Sequence, residues 1–401
     1  MSPQAATEPT VVRSVYVHAP FCARRCFYCD FAVSVRREGG AGEWSAAIAA
    51  EVEVLAREGG FALAEELATV FVGGGTPSLL GPDAMDALAE VLGRERLGAA
   101  DLEWTGEANP ESFTPEVAGA WARAGVNRVS LGAQTFDEGA LRWMGRLHGP
   151  EGPGRAIASA RRAGLENLSV DLIFGLPSHL ERDWRADLDR VLAFDVPHVS
   201  LYGLTVEPGT PLGRAVREGR EVAVDEDRYS DEFLVAAELL GAAGYEHYEV
   251  SNFARPGARS RHNAVYWYGE PYLGLGNGAH SYAPSIRAPG NVPDTSAPSI
   301  RRWNVRSWET YRERVLGGVS PEEGRETVGP AERDLERIWL GLRTRDGLEV
   351  PADRADARAL TDGWTRDGLA TRNRDTVRLT AQGWLVLDRL AIDLDAALRA
   401  G

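Results

Sequence analysis

The chain has 401 residues, of which 44% are hydrophobic and 26% are charged, an ordinary composition for a globular protein of two or three domains. Acidic residues number 59 and basic residues 44, and the net charge of −15 argues against general nucleic-acid binding, because phosphates need compensating positive charge. Every basic residue is an arginine, which excludes a pyridoxal Schiff base and the lysine of a P-loop.

The N-terminal residues predict neither export nor membrane insertion. Residues 1–12 lack the basic-then-apolar pattern of a secretory signal, and we expect them to form a flexible tail. No run approaches the roughly 20 apolar residues that span a bilayer. The expected location is therefore the cytoplasm. A homodimer and peripheral association with a membrane stay open as alternatives to a free monomer.

From about residue 14 to residue 250, segments with strand patterns alternate with helical ones, and the predicted first domain covers residues 13–283. The strand-like segments are 15–18, 69–74, 102–109, 128–134, 168–177 and 199–205, with a seventh at 245–253. Helical patterns lie between them, for example at 43–58 and 115–125. This alternation predicts an α/β fold of parallel β–α–β units, which form either an open doubly wound sheet or a barrel.

Polar residues recur at the ends of these predicted strands. Gly73–Thr76 follows the second strand, Glu107 and Asn109 end the third, and Gln134 ends the fourth. Because the carboxyl ends of parallel strands share one rim, we expect these residues to form one ligand site. Taken singly, each could instead be a local capping residue.

The last part of the chain has a different pattern. Residues 284–305 are rich in proline and predict a linker. Residues 306–401 show helical patterns at 307–316 and 332–345, turn signals with short strand-like pieces at 362–379, and a long final helix at 379–400. This pattern predicts a small, mainly helical C-terminal domain of winged-helix type.

The three cysteines, Cys22, Cys26 and Cys29, lie in a C-x3-C-x2-C motif directly after the first predicted strand. An odd, tightly spaced set is not typical of a disulfide scaffold. Thiolates are ligands of iron–sulfur clusters and of zinc. Three thiolates leave one iron of a cubane open, whereas zinc would need a fourth ligand such as His18. The spacing favours a cluster over zinc and over inert buried thiols.

This cysteine motif, with an aromatic residue before its last cysteine, resembles that of the radical S-adenosylmethionine (SAM) superfamily, and GGGTPS at 73–78 resembles the glycine-rich strand of that superfamily. The resemblance implies a partial (β/α)6 barrel and a [4Fe-4S] cluster that is held by the three cysteines and chelated by SAM. It implies SAM contacts by Tyr16, Gly74 and Glu107. The residues that match contacts to a second SAM are Tyr28, Gly75, Thr76, Gln134, Arg146 and Asp171. For Arg146, a surface ion pair is the alternative.

Further segments are similar to the coproporphyrinogen dehydrogenase (HemN-like) group, and most similar to its HemW branch of haem chaperones. They include GEANPE at 106–111, DLIFGLP at 171–177 and HNAVYW at 262–267. Phe31 stands where the dehydrogenases carry a further cysteine, and their longer N-terminal extension is missing.

HNAVYW fits the HNxxYW pattern that is associated with haem binding in this branch. The resemblance therefore implies haem contacts by His262, Asn263, Tyr266 and Trp267. Propionate groups need cationic partners, and the nearest candidates are Arg255, Arg259 and Arg261. The alternative is an ordinary packed helix. His18 is a second candidate for the haem ligand, and its alternative is a hydrogen-bonded histidine beside the strand, whereas His247 and His280 look structural.

Three functions follow from these observations. The first is a haem chaperone that passes haem to an acceptor haemoprotein, for example of the respiratory chain, and carries a [4Fe-4S] cluster with exchangeable SAM. The second is an oxygen-independent coproporphyrinogen III dehydrogenase, which decarboxylates its substrate oxidatively. The third is a zinc-stabilised structural protein. Phe31 and the HNxxYW match favour the first function, without dehydrogenase activity.

Overall fold

The computed structural model describes residues 9–37, 39–222, 224–284, 286–287, 292–293 and 298–400. Among these residues, nine strands form one central sheet. In chain order they are β1 (Ser14–Ala19), β2 (Thr69–Gly74), β3 (Glu103–Ala108), β4 (Arg128–Gln134), β5 (Asn167–Phe174), β6 (His198–Gly203), β7 (Glu246–Glu249), β8 (Asn252–Ala254) and β9 (Leu273–Leu275).

Strands β1 to β6 are parallel and follow one another across the sheet in chain order, which confirms the six predicted strands. Strand β9 lies parallel beside β1, and β8 lies antiparallel beside β6. The predicted seventh strand is a hairpin, because β7 and β8 pair antiparallel with each other. In the described part of the chain, the edge strands β7 and β9 do not pair with each other, so the sheet stays open, as it does in a partial barrel.

Helices connect the parallel strands, and most of them pack in the main hydrophobic core against one face of the sheet. They are Ala41–Glu58, Ala84–Leu92, Pro115–Ala124, Glu138–Met144, Gly152–Arg162, Trp184–Ala193, Pro211–Arg217 and Glu226–Ala242, with 3-10 turns at Pro77–Leu80 and Arg94–Leu97. Polar caps fix several of their starts. The side chains of Thr114, Asp137 and Asp183 each accept a hydrogen bond from a backbone N–H of the first helical turn.

The two faces of the sheet differ in polarity. On one face, every second residue of a strand is apolar and packs against the helices in the main hydrophobic core. Examples from three strands are Val70, Val129 and Val170, which are fully or almost fully buried. The residues between them, such as Ser130 and Asp171, line an internal cavity. Successive side chains of a strand point to opposite faces of the sheet. A sequence in which apolar and polar residues alternate therefore gives the sheet one core face and one polar face. The polar face is where a ligand site can form.

Two segments are more ordered than the sequence predicts. Thr10–Val12, inside the expected tail, is a strand that pairs in parallel with Phe61–Leu63, and Val12 is fully buried. Ser299–Asn304, inside the expected linker, is the middle strand of a three-stranded sheet. Its neighbours are His280–Ala283 and Glu322–Val328, so this sheet crosses the predicted boundary at residue 306. Two further short strand pairs are Phe21–Cys22 with Ser34–Val35, and Ile286–Arg287 with Val292–Pro293.

The C-terminal part has the helix–strand–helix–hairpin order of a winged helix. Its elements are the helices Pro330–Arg343 and Ala355–Arg366 and the strands Leu348–Glu349, Ala370–Asn373 and Thr376–Leu379. The predicted single final helix is wrong, because it is divided into Ala381–Trp384 and Leu387–Ala400. The helix Trp308–Leu316 instead packs on the barrel, where the Trp308 ring meets Phe21 with centroids 5.2 Å apart. None of the helices in the described ranges is long and apolar enough to cross a membrane.

Candidate functional site

The three cysteines lie on one loop that faces the main cavity, which has a volume of about 850 Å³. All three thiols are free and only partly exposed. Each sulfur accepts a hydrogen bond from a different donor. Thr76 Oγ1 donates to Cys22 Sγ at 3.3 Å, the Phe31 N–H to Cys29 Sγ at 3.4 Å, and Arg146 Nη1 to Cys26 Sγ at 3.8 Å.

Burial raises the pKa of the Cys22 thiol to about 11 and also raises the pKa of Cys29. These thiols therefore favour the protonated form unless a positive charge stabilises the thiolate. In the described residues, no three His, Cys, Asp or Glu side chains gather closely enough to bind one metal ion. A cubane cluster attaches each thiolate to a different iron, so its ligands need not converge on one point. The donor set and its hydrogen bonds fit such a cluster.

The glycine-rich segment after β2 supports the cysteine loop through its backbone. The Gly75 N–H donates to the Ala19 carbonyl, and the Thr76 N–H donates to the Phe21 carbonyl, both at 2.8 Å. A Cβ atom on Gly75 would lie 2.5 Å from the Ala19 oxygen and 2.8 Å from the Phe21 oxygen. Both obstacles are backbone atoms, so only glycine allows this approach.

Replacing Gly75 by alanine should therefore destabilise the protein by about 1–3 kcal/mol or more, because the cysteine loop must move away from the new methyl group. Urea denaturation measures this loss. Gly42→Ala is a matched control in the helix Ala41–Glu58, since nothing lies within 4 Å of its Cβ position, and it should be neutral or stabilise by up to about 1 kcal/mol. Equal effects of the two substitutions would contradict this role of Gly75.

Three residues predicted to contact the cluster-bound SAM lie together at the cavity. Tyr16, Gly74 and Glu107 all line it. The Gly74 N–H donates to Glu107 Oε2 at 3.1 Å. Burial raises the pKa of the Glu107 carboxyl to about 7, and the charge of Asp171 adds to this rise. A buried carboxylate held in this way can accept hydrogen bonds from an ammonium group or from ribose hydroxyls.

The six residues predicted to contact a second SAM also line this cavity. They are Tyr28, Gly75, Thr76, Gln134, Arg146 and Asp171. Gln134 has a φ of 67°, a left-handed conformation that is uncommon for a residue other than glycine and often marks a functional position. Ser130 Oγ donates to both carboxylate oxygens of Asp171, at 2.9 and 3.1 Å, while burial raises the pKa of Asp171.

Arg146 is not part of a surface ion pair. It is partly buried, and its Nη2 donates to Asn109 Oδ1 at 2.7 Å and to the Gly132 carbonyl at 2.6 Å. Its Nε contacts His148 Nε2 at 3.3 Å. The guanidinium is thus held rigidly by neutral acceptors beside Cys26, so its charge is not cancelled by an adjacent carboxylate. A ligand carboxylate could pair with it.

His18 is fixed by hydrogen bonds on both ring nitrogens. Nε2 lies 3.0 Å from the Ala32 carbonyl oxygen, which can only accept, so Nε2 donates there and Nδ1 accepts from the Tyr16 hydroxyl at 3.1 Å. Burial lowers the pKa of His18 to about 4. In this arrangement the imidazole is neutral and positions Tyr16, and neither nitrogen is free to bind zinc or haem.

The predicted haem motif forms the helix Arg261–Trp267. His262 is fully buried, and burial lowers its pKa to about 3. Its Nδ1 lies 2.8 Å from Thr69 Oγ1 and its Nε2 lies 2.9 Å from the Tyr266 hydroxyl. Both nitrogens are therefore occupied, as in a packed helix.

The other motif residues differ in their access to a ligand. Tyr266 lines the main cavity, and Asn263 and His262 line a smaller neighbouring cavity of about 220 Å³. Trp267 lines neither, and the guanidinium of Arg343 lies 4.3 Å from its ring centroid. The structure brings only part of the motif to the main cavity.

The arginines near this motif are engaged elsewhere. Arg255 pairs with Asp195, Arg261 pairs with Asp101, and Arg259 pairs with two carboxylates. None of the three arginines lines either cavity, so the structure does not bring the predicted propionate partners to the candidate site.

Arg128 is a residue that the sequence analysis missed. It is 2% exposed and lines the smaller cavity, and within the described part of the chain its Nε has no hydrogen-bond partner. Its positive charge lowers the pKa values of Glu107 and Asp171, although burial prevails for both carboxyls. The sequence pattern of β4 could have revealed Arg128. Polar residues at 128, 130 and 134 are separated by apolar ones along the strand, which places Arg128 on the same face as Ser130.

The chain resembles several known proteins. Residues 16–191 match the family profile of the Radical SAM superfamily. The sequence is 37% identical over 392 residues to the heme chaperone HemW of Mycobacterium tuberculosis, covering 96% of this chain and 95% of that protein. It is 39% identical over 388 residues to the mitochondrial radical S-adenosyl methionine domain-containing protein 1 of Mus musculus, covering 96% and 84%. The solved coproporphyrinogen III oxidase (HemN) of Escherichia coli has the same fold, with a TM-score of 0.76 at 21% identity, covering 97% of this chain and 90% of that one.

Proposed function

The chain belongs to the HemW family of radical SAM proteins, and from this premise we propose that it is a haem chaperone. It binds haem and passes it to an acceptor haemoprotein, and it carries a [4Fe-4S] cluster with exchangeable SAM. In this proposal the acceptor is a haemoprotein, for example of the respiratory chain, and the protein works in the cytoplasm; a homodimer and peripheral association with a membrane are both compatible with it.

The donor set at the main cavity supports the cluster. Cys22, Cys26 and Cys29 would each bind one iron as thiolates, and the three hydrogen bonds to the sulfurs would delocalise thiolate charge. When bound, such a cluster supplies single electrons and an open iron position for SAM. Thr76 and Arg146 are the side chains that orient and stabilise this sulfur environment.

The cavity wall supports SAM binding. Glu107 would accept a hydrogen bond from the ammonium group of SAM, and the Gly74 N–H donates to its carboxylate and keeps it in place. Tyr16 stays fixed through its hydrogen bond to His18. Arg146 and Asp171, with Tyr28, Gln134 and the Gly75–Thr76 backbone, provide the polar contacts for a second SAM at the same cavity.

Tyr266 supports a haem site that borders the main cavity. Within the HNxxYW motif, Tyr266 faces the cavity, and His262 holds the Tyr266 hydroxyl in position. Asn263 lines the neighbouring chamber, and Trp267 packs beneath Arg343 and anchors the helix. In this proposal the motif shapes the haem site, and His262 acts through Tyr266.

The single observation that favours a chaperone over a dehydrogenase is Phe31. Its side chain is 60% exposed and lines the cavity two residues after the last cysteine, where the resemblance implies a further cysteine in the dehydrogenases. An apolar ring at that position suits the flat face of a porphyrin and cannot donate a hydrogen atom or a proton as a thiol can.

We expect haem-loaded protein, incubated anaerobically with the apo form of a haemoprotein, to transfer its haem stoichiometrically. The acceptor's own absorption spectrum measures the transfer. The same preparation, supplied with coproporphyrinogen III, SAM and a reductant, should form no protoporphyrinogen IX. Product formation in that second assay would instead support the dehydrogenase, and failure to bind haem would exclude the chaperone.

A further inference from the structure

His280 is a histidine of the main cavity that remains available to a ligand. It lines the cavity and is exposed to solvent. Among the residues that the structure describes, neither of its ring nitrogens has a hydrogen-bond partner. His18, at the same cavity, uses both of its nitrogens for hydrogen bonds, and so does His262 at the neighbouring one.

The imidazole of His280 is held in place by packing rather than by hydrogen bonds. Its strand, His280–Ala283, pairs with Ser299–Asn304, and His280 lies opposite Trp303. The two rings are stacked, with centroids 5.9 Å apart and planes inclined by 28°. Trp303 in turn covers Gly324, where a Cβ would lie 2.5 Å from the indole ring. This packing limits the rotation of the imidazole and leaves its edge free to coordinate a metal.

The surroundings of His280 suit a flat apolar ligand with acidic substituents. Phe31, with 60% of its side chain exposed, and Tyr272 line the same cavity. Arg306 also lines it, with 58% of its side chain exposed, and its nearest carboxylate, that of Asp30, lies 3.5 Å away.

The charge state of His280 is also suitable for metal binding. Partial burial and the fields of Arg301 and Arg306 lower the pKa of His280 against the opposing charge of Glu326, which favours the neutral imidazole with its lone pair for coordination. Arg301 itself is committed to ion pairs with Glu326 and Glu336, whereas Arg306 can exchange its exposed contact for a propionate.

We propose that His280 is an axial ligand of the haem iron, with Phe31 beside the porphyrin and Arg306 as a partner for a propionate. This assignment rests on the proposed haem binding and names the residue that coordinates the metal. It places the haem at the mouth of the cavity, beside the cysteine loop, because Arg306 Nη2 also donates to the Asp30 carbonyl next to Cys29. Histidine is a common axial ligand of haem.

Anaerobic haem titration of the cluster-loaded protein tests this assignment. His280→Ala should weaken haem binding at least about tenfold and remove the signature of nitrogen ligation from the visible and electron paramagnetic resonance spectra. Added imidazole should restore that signature. His280→Cys should give the spectrum of a thiolate-ligated haem, a positive signal that a misfolded protein would not produce.

Arg306→Gln should weaken haem binding without changing the ligand spectrum. His179→Ala is the matched control, because His179 is exposed and lines neither cavity. Unchanged ligation in both His280 variants would overturn this assignment while leaving the chaperone proposal in place. A wild-type protein that binds no haem would overturn both.

Discussion

Cys26→Ser should abolish the iron–sulfur cluster, so that anaerobically purified protein falls from about four irons and four sulfides per chain to nearly none. Serine is a poorer ligand because its hydroxyl does not ionise near neutral pH, and a cubane that retains two thiolates is not held against solvent. Cys26 is chosen because its Sγ accepts a hydrogen bond from Arg146 Nη1 at 3.8 Å. Iron and sulfide analysis measures the change.

Thr76→Val is the matched control for this prediction. It removes the hydroxyl that donates to Cys22 Sγ at 3.3 Å but preserves all three sulfurs and the buried volume at position 76. The Thr76→Val protein should keep its iron and shift only the reduction potential of the cluster. A Cys26→Ser protein that retained a full complement of iron and sulfide would show that this cysteine is not a cluster ligand.

Glu107→Gln should stabilise the cluster-free protein at pH 8 by up to about 3 kcal/mol. The folded pKa of Glu107, about 7, lies above its ordinary value of 4.5, so the folded state binds its proton more tightly than the unfolded state does. Stability from this group is complete below pH 4.5 and is lost as the pH rises through 7. Each pKa unit corresponds to about 1.4 kcal/mol, and glutamine cannot ionise.

The advantage of Glu107→Gln should therefore disappear as the pH falls to about 4.5, which urea denaturation at a series of pH values can follow. The same substitution should weaken SAM binding at least about tenfold, because an amide oxygen can accept a hydrogen bond from an ammonium group but cannot form an ion pair with it. Glu116→Gln, an exposed substitution on the helix Pro115–Ala124, should change stability by less than about 0.5 kcal/mol at every pH. A pH-independent difference for Glu107→Gln would contradict the burial argument.

Features that depend on local sequence could be predicted well. The alternation of apolar residues predicts strands β1 to β6, and the cysteine spacing predicts the loop after β1. Both patterns can be recognised in short stretches of neighbouring residues. The ends of these strands do meet at one cavity, as the parallel arrangement requires. The site residues carried over from the SAM motifs all line that cavity.

Features that depend on distant partners could not be predicted in the same way. The strand Ser299–Asn304 follows a proline-rich segment and has few apolar residues, and it forms because two distant segments pair with it. The occupied nitrogens of His262 depend in part on Thr69, which is 193 residues away. His280 looked structural in the sequence, and only the packing of Trp303 and the cavity around it reveal an available imidazole.

On the function proposed above, this protein holds both an iron–sulfur cluster and haem at adjoining parts of one cavity. The most direct test is the visible spectrum of oxygen-protected wild-type protein before and after one equivalent of haem, with iron and sulfide counted in the same sample. We predict broad cluster absorption at the start and an added, saturable haem spectrum afterwards, with sulfide unchanged. Protein that is colourless at the start, or that loses its sulfide as haem binds, would contradict the claim.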